Sequence, residues 1–163
     1  MPDSSPAIVV IADTHIPRRA KALPETLLPH LGRADLVIHA GDLMDASLLD
    51  ELESHAPTLA VRGNLDPPDE RLPEVREFEF GGVRIAVIHD SGPKRGRRNR
   101  MKLRFPEARV VVFGHSHIPL LEDDGELLLL NPGSPTDKRR EPEYTFAVLR
   151  VEGGEASAEI ASL

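Results

Sequence analysis

Short runs of β-branched and other apolar residues limit what this chain can fold into more than any other feature of its sequence. Runs of this kind are typical of strands that are buried on both faces, as in parallel sheets. There are five of them: Ala7 to Ala12, Leu36 to Ala40, Thr58 to Val61, Val83 to Ile88 and Arg109 to Phe113. The pattern therefore predicts an assembly of sheets built largely from buried strands.

Helical segments lie between the first three of these strands. Ala46 to Ser54 places three leucines on one face, as the 3.6-residue period of a helix requires. Lys21 to Leu31 is a second helical candidate, which Pro24 and Pro29 interrupt. Strands that alternate with helices predict parallel βαβ units.

The second half of the chain carries turn signals instead. Gly81-Gly82, Asp124-Gly125 and Gly153-Gly154 each separate two short segments, as the turns of β-hairpins do. We therefore expect antiparallel pairs in this part, and an α/β fold of mixed sheets with helices outside. A chain of 163 residues is long enough for one domain with a sizeable core and short for two, so we expect residues 1–163 to form a single domain.

Composition excludes several classes of protein. No apolar run approaches the ~20 residues that cross a bilayer, and Met1 to Pro6 lacks the basic start and apolar stretch of a signal peptide. We therefore expect a cytoplasmic protein with no membrane partner. The net charge of −7 and the aromatic content of 4% disfavour nucleic acid as a partner. Because the chain has no cysteine, any metal must be held by oxygen and imidazole nitrogen.

Polar side chains follow five of the predicted strands at the point where each strand ends. They are Asp13, His15, Asp42, Asn64, His89, His115 and His117. Because ligand sites of open α/β sheets form beyond the carboxyl ends of parallel strands, we expect these seven side chains to converge. Gly41, Gly63 and Gly114 each precede one of them and are expected to let the backbone turn sharply. The alternation in His115-Ser116-His117 is expected to place both imidazoles on one side of an extended segment.

The chemistry of this set favours two metal ions over one. Two carboxylates, one amide oxygen and four imidazoles are too many donors for a single cation, but two cations that share a bridging carboxylate could use them all. Such ions lie ~3.5–4 Å apart and activate a water as the nucleophile of phosphoryl displacement. Mixed nitrogen and oxygen ligation suits Mn, Fe, Zn or Ni better than Ca or Mg alone. Taken singly, each fragment has an ordinary alternative, such as a capped turn for Asp13 or Asp42 and a satisfied buried histidine for His89.

These residues resemble the motifs of the calcineurin-like metallophosphoesterases, within the small bacterial and archaeal phosphodiesterase branch. The matching stretches are Ala12-Asp13-Thr14-His15, His39-Ala40-Gly41-Asp42, Gly63-Asn64-Leu65-Asp66, His89, Gly114-His115-Ser116-His117 and Asn131-Pro132-Gly133-Ser134, in the family's order. The resemblance implies a sandwich of two mixed β-sheets flanked by helices. It also implies hydrolysis of a phosphodiester, or of a monoester, by in-line attack of metal-activated hydroxide on a small-molecule phosphate ester.

The resemblance also implies a role for each residue. Asp13, His15 and His117 would hold one metal ion, Asn64, His89 and His115 would hold the second, and Asp42 would bridge the two. Asn64 would also contact a substrate phosphate oxygen, and His39 and Asp66 would take part in catalysis by orienting ligands or phosphate. The Asn-Pro-Gly-Ser turn would line the floor of the site with Ser134 against the substrate, unless it is a plain Pro-Gly turn. Manganese is the first expectation for both divalent metal ions, with Fe, Zn, Ni or Mg as alternatives.

Two departures from the family pattern concern the substrate side. Where many relatives carry a histidine as proton donor to the leaving group, this chain has Leu65. The acid would then be Asp66, a water or no group at all. Asp90 and Ser91 follow His89, where relatives often have glycine and a further histidine, and we expect Asp90 to cap a turn.

Other functions stay open at this point. The retromer subunit that shares the family's fold is a scaffold with a degraded site, whereas every expected ligand is present here, which argues against a purely protein-binding role. The basic segment Lys94 to Arg104 would give a nuclease a rim for nucleic acid, although a solvated helical face is the simpler interpretation. Relatives often pair, so a homodimer is also open.

Overall fold

The structure, a computed structural model, describes residues 5–163. The first four residues, part of the segment on which the expected lack of a signal peptide rests, lie outside this range. Within it the chain forms, in order, β1 (Ala7–Ile11), α1 (Leu28–Arg33), β2 (Leu36–His39), α2 (Ser47–Glu53), β3 (Thr58–Ala60), β4 (Val75–Phe80), β5 (Val83–Ile88), α3 (Arg97–Arg104), β6 (Val110–Val112), β7 (Leu120–Asp123), β8 (Leu128–Asn131), β9 (Thr145–Glu152) and β10 (Glu155–Ser162). All five strands predicted from apolar runs are present.

The strands form two mixed sheets, as the family resemblance implied, and each sheet has five strands. The first has the order β10-β9-β1-β2-β3, and the second has the order β4-β5-β6-β8-β7. In the first sheet β1, β2 and β3 are parallel, β9 pairs antiparallel with β1, and β10 pairs antiparallel with β9. In the second sheet β5, β6 and β8 are parallel, with β4 and β7 antiparallel at the edges. Each sheet therefore contributes three neighbouring parallel strands.

The two sheets pack face to face over the largest apolar core. Fully or almost fully buried side chains from both sheets meet there, such as Ile8 and Ile38 from the first sheet and Ile85 and Val112 from the second. A second core lies between the first sheet and the helices α1 and α2, and a third lies between the second sheet and α3. The layers are thus helix, sheet, sheet and helix. Both faces of each sheet are covered at its centre, so the parallel strands β1, β2, β6 and β8 are buried almost throughout. The edge strands β4 and β10 largely alternate between half-buried and exposed residues.

One predicted helix is confirmed, and the other is shorter than predicted. α2 lies within Ala46 to Ser54 and buries all three of its leucines. Residues 21–27 are not helical, and α1 begins only at Leu28. Pro29 lies inside α1 because the first turn of a helix tolerates proline, whose missing N–H would have no partner there. Among residues 5–163, none of the helices has the length and apolar character that crossing a bilayer requires.

The glycine-rich turns lie where the sequence predicted them. Gly81-Gly82 joins β4 to β5, Asp124-Gly125 lies between β7 and β8, and Gly153-Gly154 joins β9 to β10. All three strand pairs are antiparallel hairpins. These hairpins add antiparallel strands beside the parallel ones. The polar side chains predicted at strand ends lie in the loops that follow the parallel strands.

Candidate metal centre

The loops that follow the parallel strands of both sheets meet in one polar cluster. Its side chains are Asp13, His15, Asp42, Asn64, His89, His115 and His117. Two subsets of carboxylates and imidazoles have all their ligand atoms within 4.8 Å of one another, namely Asp13, His15 and His117, and Asp13, Asp42 and His89. The fold therefore brings together donors from five separate loops.

In both Asp13 and Asp42, a backbone amide binds one carboxylate oxygen, and the other oxygen faces the cluster. The amide of His115 donates to Asp13 Oδ2 over 2.9 Å, and the amide of Leu65 donates to Asp42 Oδ1 over 2.9 Å. The second oxygen of Asp42 lies 3.4 Å from Nε2 of His15. It lies 3.4 Å from Nε2 of His89 as well. Because it faces a histidine from each half of the cluster, Asp42 has the position of a bridging group.

Three histidine rings are held so that their Nε2 atoms face the cluster. The Nδ1 atom of His89 donates to the carbonyl oxygen of Ala40 over 2.7 Å, and the Nδ1 atom of His117 donates to the carbonyl oxygen of Asp137. The Nδ1 atom of His15 lies 3.3 Å from the carboxylate of Asp137. A proton on Nδ1 leaves the Nε2 lone pair free for a metal. Sequence reasoning missed Asp137, whose only signal was a carboxylate close behind the Asn-Pro-Gly-Ser turn.

Three buried atoms of the cluster have no hydrogen-bond partner. They are Asp13 Oδ1, His15 Nε2 and His117 Nε2, and within residues 5–163 the only other buried side-chain atom of this kind is Arg97 Nε. A buried polar atom without a partner costs ~1–3 kcal/mol, and such atoms are rare in folded proteins. A bound divalent cation would satisfy all three at once, since each is an ordinary metal ligand atom. The donor set therefore fits a metal ion.

The electrostatics of the cluster agree with that fit. Burial raises the pKa of Asp13 to about 7. Burial acts on Asp42 in the same direction, but the imidazoles of His15 and His89, whose Nε2 atoms each lie 3.4 Å from Asp42 Oδ2, outweigh it and hold the pKa of Asp42 below its usual range. Burial would lower the pKa of His89, but the hydrogen bond with Asp42 and the charge of Asp13 raise it. Without cations the cluster thus retains protons, which metal binding would displace.

Five residues of the cluster have left-handed backbone conformations. They are Asp13 (φ 56°), His15 (φ 47°), Asp42 (φ 62°), His115 (φ 73°) and His117 (φ 63°). This conformation costs a side chain other than glycine roughly 1–2 kcal/mol. The predicted extended conformation of His115-Ser116-His117 is therefore wrong. The ring of His115 lies edge-on to His89, with 5.2 Å between centroids, whereas the ring of His117 lies edge-on to His15 at 4.8 Å.

The glycines beside the cluster differ in what they provide. Of the three predicted positions only Gly41 has a left-handed backbone, with φ 101°. A Cβ atom on Gly114 would lie 2.9 Å from Asp13 Oδ2, and one on Gly63 would overlap Asp42 Oδ1. The prediction of a turn that needs glycine is right for Gly41. It is wrong for Gly63 and Gly114, where glycine is needed because a carboxylate packs against the backbone.

Asp66 supports the loops that carry the cluster. It is 5% exposed, and its carboxylate accepts hydrogen bonds of 2.8 Å from the amides of Asp42, Met44 and Gly63. A carboxylate that accepts three amide bonds is held in its acceptor role. The geometry therefore favours Asp66 as a positioning group over Asp66 as the acid for the leaving oxygen.

His39 connects the loops after β1 and β2 from inside the protein. It is fully buried. Its Nδ1 accepts from the amide of Gly41 over 3.1 Å, so its Nε2 carries the proton and donates to Thr14 Oγ1 over 3.0 Å. Burial, together with the nearby charge of His89, lowers the pKa of His39 to about 3. His39 is therefore neutral and has no access to a substrate.

That low pKa predicts an acid-sensitive contribution to the stability of the metal-free protein. An unfolded histidine binds a proton below pH 6.5, whereas folded His39 binds one only near pH 3. The free energy of unfolding should then fall as the pH drops through this window, by up to about 1.4 kcal/mol per pH unit from this residue. We expect His39→Gln, which does not titrate, to reduce the slope. Urea unfolding of both metal-free proteins at several pH values measures it, and parallel pH curves would contradict the prediction.

The Asn-Pro-Gly-Ser turn fastens the loop after β8 to the loop after β1. Ser134 is 1% exposed, and its hydroxyl donates to the carbonyl oxygen of Asp13 and accepts from the amide of Asp137, both over 2.8 Å. The hydroxyl of Thr136 donates to the carbonyl oxygen of Thr14 over 2.6 Å. Because the Ser134 hydroxyl is engaged inside the protein, its contact with substrate stays a prediction.

An open cleft of about 440 Å³ borders one half of the cluster. Asn64, His89 and His115 line it on the side of the cluster, and Arg62 and Arg104 are among the residues of its other walls. Asn64 and His115 are exposed there. This half of the cluster is therefore accessible to a small molecule.

Two residues at the cleft side depart from the family pattern. Leu65 is 42% exposed, and its backbone amide donates to Asp42 Oδ1. Asp90 caps a turn, as predicted, because its Oδ1 accepts from the amide of Gly92 over 2.8 Å. Its other oxygen lies 3.9 Å from Nε2 of His115. Leu65 itself brings no proton donor to the place where relatives have a histidine.

The basic segment Lys94 to Arg104 is largely committed to internal contacts. Arg98 and Arg100 donate to backbone carbonyl oxygens, and Lys102 pairs with two carboxylates. Arg104, at the end of α3, lines the cleft. The interpretation as a purely solvated helical face is therefore incomplete, because several of these cations tie α3 to its neighbours.

Known proteins resemble this chain over most of its length. Residues 7–154 match the model of the calcineurin-like phosphoesterase superfamily domain. A probable metallophosphoesterase of Methanothermobacter thermautotrophicus is 38% identical over 156 residues, which cover 94% of this chain and 90% of that protein. Another from Methanocaldococcus jannaschii is 41% identical over 135 residues, which cover 81% and 69%. The solved structure of Vps29 from Entamoeba histolytica complexed with zinc is 23% identical, with a TM-score of 0.77 over 96% of this chain and 98% of that chain, and shares the fold.

Proposed function

This chain belongs to the calcineurin-like phosphoesterase superfamily, and from that membership we propose that it hydrolyses phosphate esters, phosphodiesters in particular, at a centre of two divalent cations. The proposal rests above all on the partnerless buried atoms of Asp13, His15 and His117, beside a second group of donors that opens to a cleft. An arrangement that destabilises the metal-free chain is expected at a functional site rather than in a structural core.

The seven donors divide into two ligand sets. Asp13, His15 and His117 would hold one ion, Asn64, His89 and His115 would hold the other, and Asp42 would bridge them. The position of Asp42 Oδ2, at 3.4 Å from a histidine of each set, supports this division. When bound, the two ions would acidify a water and neutralise charge on the phosphate. Manganese suits the mixed ligation, as do Fe, Zn, Ni and, less well, Mg.

The residues of the cleft would bind and orient the substrate. Asn64 uses its Oδ1 towards His89, over 3.1 Å, so its amide N–H₂ group is left to donate to a phosphate oxygen in the transition state. Arg62 and Arg104 would contact an anionic ester in the cleft, whose walls also carry the carboxylates of Glu74 and Asp90.

The leaving oxygen would receive little help from the protein. The side chain of Leu65 has no acidic group that could donate a proton. The carboxylate of Asp66 is occupied as the acceptor of three backbone amides. The leaving group would therefore take its proton from water, and esters of acidic alcohols are expected to react fastest.

We expect the purified protein with added Mn²⁺ to hydrolyse bis(4-nitrophenyl) phosphate, an activated diester whose leaving group needs no acid. An excess of chelator should abolish the reaction, and fresh Mn²⁺ should restore it. Comparison with 4-nitrophenyl phosphate and with single-stranded DNA would measure the preference for small diesters over monoesters and nucleic acid.

Two results would count against the proposal. A chain that binds no divalent ion and cleaves no ester would refute it. A chain that binds two ions tightly but cleaves none of these esters with Mn, Fe, Zn, Ni or Mg would favour the protein-binding alternative on the same fold.

A further inference from the structure

We propose that Asp137 is a positioning residue that sets the affinity of one metal ion, the one between His15 and His117, without affecting the other. The inference rests on the proposed function in one respect only, namely that the cluster holds two divalent cations. Asp137 belongs to none of the motifs that mark the site in the sequence, and it touches no cleft residue in the contacts described above.

The side chain of Asp137 controls His15. Its Oδ2 lies 3.3 Å from Nδ1 of His15, on the far side of the ring from Nε2. That Nε2 atom is buried without a partner and faces Asp13 and Asp42, at 4.0 and 3.4 Å. A carboxylate on Nδ1 fixes the ring orientation and the tautomer and makes the imidazole a stronger ligand.

The backbone of the same residue controls His117. The carbonyl oxygen of Asp137 accepts the hydrogen bond from His117 Nδ1, and His117 Nε2 is the second partnerless imidazole nitrogen of the cluster. One residue therefore orients two rings that lie edge-on to each other, with 4.8 Å between centroids. Within residues 5–163, Asp137 contacts the Nδ1 atoms of two histidines of the cluster, whereas the Nδ1 atom of His89 is bonded to Ala40.

Hydrogen bonds tie the segment that carries Asp137 to the loop after β1. The amide of Asp137 donates to the hydroxyl of Ser134, which donates in turn to the carbonyl oxygen of Asp13. Thr136 donates to the carbonyl oxygen of Thr14. These bonds fix the Asp137 loop to the loop that carries two of the three donors it would serve.

The other half of the cluster depends on different contacts. His89 is oriented by the carbonyl oxygen of Ala40 and by Asn64. The side chain of His115 is 47% exposed at the cleft, whereas the side chains of His15 and His117 are 5% and 1% exposed. Loss of the Asp137 carboxylate should therefore weaken one ion and spare the other.

The experiment is a Mn²⁺ titration of the wild-type protein and of the variants Asp137→Ala and Asp137→Asn. Calorimetry and electron paramagnetic resonance monitor the binding. We expect Asp137→Ala to weaken one of the two binding steps by about 10–100-fold and to leave the other within twofold. Asp137→Asn keeps an acceptor oxygen but loses the charge, so it should recover part of the affinity. Arg19→Ala is the matched control, because the Arg19 side chain is 64% exposed and its Nε lies 3.8 Å from the same oxygen of Asp137. We expect both binding steps to be unchanged in this variant.

A second readout needs neither metal nor activity. Long-range ¹H–¹⁵N spectra of the metal-free protein report the tautomer of each histidine. We expect His15 to lose its Nδ1–H preference in Asp137→Ala, whereas His117, bonded to the backbone, should keep it. Circular dichroism checks that the variant is folded.

Three results would overturn the role of Asp137. They are an equal weakening of both binding steps in Asp137→Ala, an unchanged His15 tautomer in that variant, and the same loss of affinity in Arg19→Ala. The proposed function fails separately, if wild-type protein binds two ions but cleaves no phosphate ester. In that case the result for Asp137 would still stand.

Discussion

Asp42→Asn is expected to lower turnover of an aryl phosphodiester on the order of 10³-fold, about 4 kcal/mol of transition-state stabilisation. Asparagine has the same shape and keeps the acceptor for the Leu65 amide, which lies 2.9 Å from Asp42 Oδ1. What the variant loses is the negative charge of Oδ2, which lies 3.4 Å from His15 and from His89. Without that charge the two cations would repel each other across a neutral amide.

The measurement is the turnover number at saturating Mn²⁺, with the thermal unfolding midpoint as a check of folding. Asp90→Asn is the matched control, because it removes a charge from an exposed carboxylate at the cleft, 3.9 Å from His115. We expect this control to stay within a few-fold of the wild type. An Asp42→Asn protein with turnover within tenfold of wild type would show that no bridging charge is needed.

Gly63→Ala is the second substitution with a large expected effect. A methyl group at this position would overlap both Asp42 Oδ1 and the Asp42 amide nitrogen. The amides of Gly63 and Asp42 both donate to Asp66, which holds the loop in place. The overlap is therefore relieved only if the loop moves. We expect the free energy of unfolding to fall by about 1–3 kcal/mol and the affinity for Mn²⁺ to fall with it, because Asp42 would be displaced.

Gly32→Ala provides the matched control within the same chain. Gly32 lies in α1 (Leu28–Arg33), and a methyl group there would meet no atom within 4 Å apart from its chain neighbours and the backbone of its own helix. Alanine in a helix is more favourable than glycine by about 0.5–1 kcal/mol, so this variant should be slightly more stable and fully active. Urea unfolding and Mn²⁺ titration of both variants test the contrast. Gly63→Ala protein with wild-type stability and metal affinity would contradict the predicted overlap.

The fold could be predicted from the sequence because its main signals are local. A strand such as Val110 to Val112 is buried on both faces and is therefore apolar throughout, and a hairpin such as β4–β5 is marked by Gly81-Gly82. The polar residues at strand ends could be identified for the same reason. The helix predicted for Lys21 to Leu31 was partly wrong because proline has a different effect in the first turn of a helix than in its middle.

The parts of the site that could not be predicted depend on contacts between distant segments. Nothing in the local sequence indicates that His115 and His117 have left-handed backbones. In the structure their rings pack against His89 and His15, which lie far away in the sequence. The requirement for glycine at position 63 comes from Asp42, 21 residues earlier in the chain. Asp137 contacts His15 across more than a hundred residues. Such pairings need the folded structure.

The most direct test is an anomalous difference map from crystals of the wild-type protein grown with Mn²⁺. Two peaks are predicted, ~3.5–4 Å apart, one against His15 and His117 and the other against His89 and His115, with the carboxylate of Asp42 touching both. A single peak, or two peaks away from these side chains, would contradict the two-cation centre.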